Sequence, residues 1–523
     1  MTTGSNTTLS AQLFSADGDF SSRPPDALSL LALAFLGAPV LIFLVTWLKP
    51  AYAAVGVALI AMALGSVARR FHYNWPTMRF GVTAIVIVVS LIWAAMGGGS
   101  HFVYANPDWL VRDAVLGDLT FSDWPPSYGF REGHHDLLRA AIGLFLPVAA
   151  AAKIFGQNAL PTLMFIWTSL GVLIFLLLLP LPQASLHRLL IALSIVIAFS
   201  GMDILGVLLL HGQYPVFPLR IEWWNEFNFR AMFSYTSLTG QLIWAPNHAL
   251  PMWIATALFY RHWKHADFVP LLCLLLPTLS LHTPFALPGL APFLILALVD
   301  RVRSRINPRD IPITAIVAAL IIGGLILRLQ MLDTGTFSVQ PSATTTAPEQ
   351  RDALAFAKNY LVFILMEFAI LGVVLIGALR HSKGLLLIAL CVLAVLPIIT
   401  LGPTNDLLLR VSTPSLVLLA ILCQRVVANA SVCGQPRAVL LAALLIVGAH
   451  TPFNELWRAA TWKAWRPDYL RPFVATQSGG LPVHYIGRLN DPLLMELLRT
   501  PHRVPDRQQR MDTSENKHSI NEP

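Results

Sequence analysis

The chain has 523 residues, 55% of them hydrophobic and 12% charged, with a mean hydropathy of +0.63. Apolar runs of roughly 17–25 residues, the length that crosses a hydrocarbon core of about 30 Å, recur from Leu28 onwards, which excludes a soluble enzyme and describes an all-α polytopic membrane protein. The net charge of +8 sits in short Lys/Arg clusters between those runs, so its partner is the lipid bilayer and not a nucleic acid.

Residues 1–26 are polar, have no basic lead into a short apolar core, and read as a cytoplasmic tail, not a cleavable signal. Membrane spans are expected at 27–47, 51–68 and 80–98. Arg69, Arg70 and Arg79 lie between the second and third, which places that loop in the cytoplasm and the following loop, 99–158, outside. The run 136–156 holds Arg139, Pro147 and Lys153. Counting it as a span would move His187, Arg188 and the cluster Arg261 to His265 outside, so it reads as a helix lying on the outer interface.

Ten more spans are expected, at 159–181, 188–202, 246–260, 267–281, 284–299, 312–331, 357–379, 385–401, 410–426 and 437–451, about thirteen in all within a membrane domain of 27–455. Loops 203–245 and 332–356 fall outside, as does a polar segment 456–523 whose end, after about Pro501, reads as disordered. Cys273, Cys391, Cys423 and Cys433 have neither metal-ligand spacing nor the context of a disulfide framework. No phosphate-binding loop, dinucleotide fingerprint or convincing internal repeat is present.

On this topology the polar residues that are not basic gather on the outer face. The loop His101 to Pro126 carries Asp108, Asp113, Asp118 and Asp123 and ends in a Trp-Pro-Pro turn. Charge near a bilayer is costly unless it meets water, a partner or a substrate. Asp108 lies about ten residues beyond the third span, placed to act as a general base towards an acceptor hydroxyl or amine. Asp113 and Asp118 follow at spacings of five, with Arg112 able to pair with either. The plainer reading of these acids is a solvated loop capping short helices.

Asn247 and His248, in Trp-Ala-Pro-Asn-His, open a span and are placed to donate hydrogen bonds to a phosphate; equally, Pro246 and Asn247 suit a simple helix start. His282 sits between two short spans as in the break of a helical hairpin. Arg410, on the outer side with Asn405 and Asp406 nearby, suits bidentate contact with a phosphate, or snorkelling beside Asp406. Asp203 lies at the membrane edge, as a binding group or a cap. Aromatic residues interleaved with charge from Trp223 to Phe233 read as an interfacial belt.

Asp108-Trp-Leu-Val-Arg112 followed by Trp124-Pro-Pro126, then Leu138 through Lys153-Ile-Phe-Gly156, resembles the GT-C superfamily of integral membrane glycosyltransferases, which includes lipid A aminoarabinose transferases and protein O-mannosyltransferases. The likeness covers roughly residues 80–180; Trp244-Ala-Pro-Asn-His248 and Asn405-Asp406 with Arg410 look similar to stretches of bacterial members. Trp109 stands where the aminoarabinose transferases have a second acid, and two extra spans precede the loop.

The resemblance implies a polyprenyl-phosphate-linked sugar donor, a glycan, lipid or protein acceptor, inversion at the anomeric carbon and Asp108 as the base. It implies a bacterial inner membrane with the site on the periplasmic face. It leaves a divalent cation open and names no other cofactor. Other classes consistent with the residues are a flippase or transporter of lipid-linked glycans and a glycan polymerase or ligase.

Overall fold

A computed structural model describes residues 20–139, 141–212, 221–227, 231–303, 311–334, 339–342, 353–379, 382–401, 405–429, 436–477, 482 and 484–512. The chain opens with the helices α1 (Ala27–Trp47), α2 (Pro50–Ala68) and α3 (Phe80–Met96), within two residues of the expected spans. The first long loop then holds helix α4 (Trp109–Phe121), strands β1 (Pro126–Tyr128) and β2 (Asp136–Leu138), and helix α5 (Phe145–Phe155). Next come α6 (Leu160–Leu178), α7 (Leu186–Ile197), α8 (Asp203–His211), α9 (Leu238–Trp244) and α10 (Pro246–His262).

The second half contains α11 (Phe268–Ser280), α12 (Ala286–Arg303), α13 (Ile313–Gln330) and α14 (Ala353–Ile364), which runs through a π-helical turn Leu365–Ala369 into α15 (Ile370–Ala378). It ends with α16 (Lys383–Val395), α17 (Asp406–Val411), α18 (Thr413–Asn429), α19 (Pro436–Gly448) and α20 (His450–Thr461), followed by the short strands β3 (Ile486–Arg488) and β4 (His502–Arg503).

Among the described residues, seven helices are long and apolar enough to cross a membrane, and several shorter apolar helices accompany them. The protein is therefore membrane-embedded; among the described residues seven helices, against the thirteen spans expected from the sequence, are long enough by themselves to cross. The shortfall has a physical reason. Polar breaks such as Ser200-Gly-Met and His282-Thr-Pro interrupt apolar stretches, so helices like α7 and α11 stop at 12 and 13 residues. Helix α10 is a different case: all 17 of its residues are buried, so it is a central post and not a lipid-facing span.

One end of the bundle is laced by basic residues. Asp26 caps α1, accepting from the Ser29 amide at 3.0 Å, and pairs with Arg261; the Ser29 hydroxyl meets His262 Nε2 at 2.8 Å. This fastens the foot of α10 to the foot of α1. Arg70 pairs with Asp267 at 3.6 Å, Arg301 donates to the Lys264 carbonyl, and Arg425 to the Tyr260 hydroxyl. Basic clusters expected on one side of the membrane thus share one end of the molecule.

The other end is closed by a four-stranded sheet in the order β3-β2-β1-β4. β2 pairs antiparallel with β3, Leu137 opposite Gly487, and β1 pairs parallel with β4, Ser127 opposite Arg503. Three expectations change here. The stretch 136–156 is not one interfacial helix: it starts as a strand, and only Phe145–Phe155 is helical, 11 residues, too short to span. The acidic loop is itself largely a helix, α4. The C-terminal segment folds back as far as Asp512, because Arg510 enters the core and pairs with Asp118, both side chains fully buried.

Burial pushes the Asp118 carboxyl up to about 6, against the Arg510 charge, the Tyr128 hydroxyl and the Phe473 amide, which favour the ionised form. Arg510→Ala should therefore destabilise the fold by about 3–5 kcal/mol near neutral pH, since a buried carboxylate loses its cation. Without that cation Asp118 is pushed further up, so the loss should shrink as the pH falls towards about 6 and level off below it. Unfolding followed against pH checks both, and Asp118→Leu combined with Arg510→Met should recover most of the stability.

Candidate functional site

Asp108 stands at the N-terminus of α4 with about half its side chain exposed, and its carboxylate meets Arg112 one turn on at 3.1 Å. The helix start is fixed by Asn106, whose side chain accepts from the Asp108 amide at 2.9 Å and donates to the Ile243 carbonyl at 2.6 Å. Arg112 also donates to the Trp244 carbonyl, so α4 is anchored to the end of α9 at two points. The Trp244 indole in turn donates to the buried Glu455 at 3.0 Å, and Arg458 pairs with Glu455 and lies over the Trp244 ring. Nη1 of Arg112 is buried without a partner.

Immediately after Trp244 the chain enters α10, with Pro246 in its first turn. Asn247 does not cap this helix. Its amide donates to the Ala141 carbonyl at 3.4 Å, and its carbonyl oxygen is buried without a partner. His248 Nδ1 meets the Thr283 hydroxyl at 2.7 Å, and its ring stands edge-on to Phe285, 6.0 Å away. The guanidinium of Arg410 lies over that same Phe285 ring at 5.3 Å and pairs with Asp406 at 3.2 Å. Asn405, at φ 49°, caps the short helix carrying both, accepting from Leu408 and Leu401 amides.

The two arginines belong to one neighbourhood. Both Arg112 and Arg410 act electrostatically on His248, and Asp108, Arg112, Asp406 and Arg410 all act on Tyr485. Burial is the leading influence on the Tyr485 phenol, pushing its ionisation upward. Two charged pairs on helices far apart in the chain, Asp108–Arg112 and Asp406–Arg410, thus act on one tyrosine, one residue before β3. His484 joins them, its imidazole pushed down by burial, with Asp406 opposing and Arg410 adding to the effect.

Other expected members lie elsewhere. Steps of five residues on an α-helix rotate by about 140°, so Asp108, Asp113 and Asp118 cannot share a face once the segment is helical. Asp113 is buried against His101 Nε2 at 3.0 Å, its carboxyl raised by burial, with the charges of His101 and Arg112 opposing. Asp118 is sealed against Arg510, and Arg112 pairs with Asp108 and with neither of these two. His282 is adjacent to Thr283 but turns its Nε2 to the Leu36 carbonyl at 3.1 Å, within α1. Asp203 sits in a separate buried group with Ser200, Trp224 and Thr451. Of the aromatic belt, residues 228–230 lie outside the described residues, and Trp224 faces inward to Asp203.

Among the described residues, no group of three His, Cys, Asp or Glu side chains is arranged to hold a metal ion. What the arrangement offers is two guanidiniums, each paired with a carboxylate, whose charges both reach His248, with Asp108 about half exposed. Sequence reasoning missed Asn106, Glu455, Arg458 and Tyr485, and named Trp244 only as part of a motif. A polar residue two positions before Asp108 was a visible signal for Asn106; nothing local marked Tyr485. The chain matches no known protein family, no curated protein and no solved structure.

The cap at Asn405 generates a test. Asn405→Ala should cost about 1 kcal/mol for the lost cap and a further 1–2 kcal/mol for a left-handed alanine. Asn405→Gly removes the second cost only. Unfolding measurements should place Asn405→Gly below the wild type and Asn405→Ala lowest.

Proposed function

We propose that the protein is a membrane glycosyltransferase that moves a sugar from a polyprenyl-phosphate donor to a glycan, lipid or protein acceptor on the extracytoplasmic face, in the manner of the GT-C superfamily it resembles. The observation that carries the reading is the meeting of Asp108–Arg112 and Asp406–Arg410 around Tyr485. In the bacterial inner membrane this end, opposite the basic lacing, would face the periplasm.

In the proposed reaction Asp108 accepts the proton of the acceptor hydroxyl or amine as that atom attacks the anomeric carbon. The bond from that carbon to the phosphate oxygen breaks, the electron pair leaves with the phosphate, and configuration inverts. Arg410, with Arg112 and His248, binds the phosphate and stabilises the charge that develops on it. Glu455 and Arg458 act as positioning residues, holding Trp244 and through its carbonyl Arg112.

A flippase or transporter of lipid-linked glycans is the second reading. What favours it is Glu367, an ionisable residue in the π-helical turn of the candidate span Phe356–Ala378 and buried with Asp203. Vesicles carrying labelled polyprenyl-phosphate sugar separate the two: a transferase releases the sugar from its lipid, a flippase moves the intact lipid.

Asp108→Asn should lower transfer by about 10²–10⁴-fold with donor binding retained. Unchanged transfer by a folded variant would remove Asp108 from the mechanism. Arg410→Ala should weaken binding of the polyprenyl-phosphate donor by about 1.5–3 kcal/mol, the value of a charge-assisted hydrogen bond. Wild-type donor affinity in that variant would rule out its phosphate role.

A further inference from the structure

We infer that Asp203 and Glu367 form a proton-binding pair inside the bundle, with one proton carried by Glu367 and directed to an ionised Asp203. Asp203 is fully buried and Glu367 is 5% exposed. The Trp224 indole N–H bridges them, at 3.1 Å from Asp203 Oδ1 and 3.0 Å from Glu367 Oε1. The strongest charges acting on Glu367 are those of other acids, Asp203 and Glu222. Two carboxylates in contact and away from water repel each other and lose their hydration, so such a pair keeps a proton.

The hydrogen-bond inventory says which residue carries it. An ionised carboxylate only accepts, whereas a protonated one also donates. Asp203 Oδ2 accepts from the Ser200 hydroxyl at 3.0 Å and the Thr451 hydroxyl at 2.6 Å, which adds to the indole on Oδ1. Asp203 also begins helix α8, whose free amides and dipole favour negative charge. Glu367 shares one N–H donor, and its Oε2 is buried without a partner. A carboxyl with so few donors facing it is where a proton belongs, and Glu367 and Asp203 lie within hydrogen-bonding reach of each other.

The backbone is built to bring the two acids together. Glu367 lies in the π-helical turn between α14 and α15, an insertion of the kind found at functional sites. The Met202 amide donates to the Met366 carbonyl at 2.9 Å, which fastens the start of α8 to that turn. A Cβ on Gly201 would stand 2.2 Å from Glu367 Oε2, so a glycine is what lets the acid approach. Around the pair, Glu222 is held by the amide and hydroxyl of Ser237, and His211 is turned to the Trp224 carbonyl. Thr451 is contributed by α20.

Infrared spectroscopy of the purified full-length protein reads the proton directly. A protonated-carboxyl carbonyl band should be present at neutral pH, should shift on labelling the glutamate carboxyls, and should disappear in Glu367→Gln while surviving in Asp203→Asn. Glu367→Gln, whose amide can still donate to Asp203, should unfold close to the wild-type temperature, and Asp203→Asn far below it. Gly201→Ala should displace Glu367 and shift the band.

Absence of the band in the wild type, or a band that labelled glutamate leaves unmoved, overturns the proposal. So does stabilisation of the wild type but not Glu367→Gln by sodium or potassium, which would make the ligand a metal cation. The labelled wild type answers even where a variant fails to fold. No sugar donor enters the measurement, so its outcome is independent of the transferase reading.

Discussion

A handful of backbone hydrogen bonds between Asp136–Leu138 and Ile486–Arg488 hold the last part of the chain against its first long loop. The placing of Tyr485 and of the C-terminal segment depends on this pairing. It sets Tyr485 among Asp108, Arg112, Asp406 and Arg410, and the neighbouring strand at 502–503 leads on to Arg510 and its contact with Asp118. A short sheet does what apolar helices cannot: it satisfies backbone amides in register, and so fixes side chains from distant segments at defined positions.

The second constraint is the cost of charge away from water. It sorts the ionisable residues into three populations. At one end basic side chains are laced to backbone carbonyls and to Asp26, as a bundle end beside lipid headgroups requires. At the other end Arg112 and Arg410 keep a carboxylate each, and Asp108 keeps access to solvent. Inside the bundle Asp203 and Glu367 have hydroxyls, an indole and each other, which makes protonation the physical solution there. The same cost explains why Asp118 is buried only with Arg510 against it.

The fully buried helix Pro246–His262 connects these regimes. Its foot is tied to Asp26 through Arg261, and its head carries Asn247 and His248 beside Thr283 and Phe285. Because it is enclosed along its length, its head is a rigid reference against which Arg410 and Arg112 are set. Such sites are most precise when borne on packed helices and supported by a second layer, here Trp244 with Glu455 and Arg458.

The sequence by itself determined the apolar helices, with limits expected at 27–47 and 51–68 and found at 27–47 and 50–68, the basic residues that share an end, and the choice of Asp108, Arg112, Asp406 and Arg410, whose charges act on one tyrosine. These are local properties: hydropathy over one span, charge at its ends, and the cost of a polar residue beside lipid. Only the tertiary structure decided that the acidic loop is a helix turning Asp113 and Asp118 away from Asp108. It alone decided that 136–138 is a strand awaiting 486–488, and that Glu367 lies against Asp203. Helix rotation, strand pairing and acid–acid contact depend on partners far away in the chain, and such partners leave no periodic trace in the residues that will meet them.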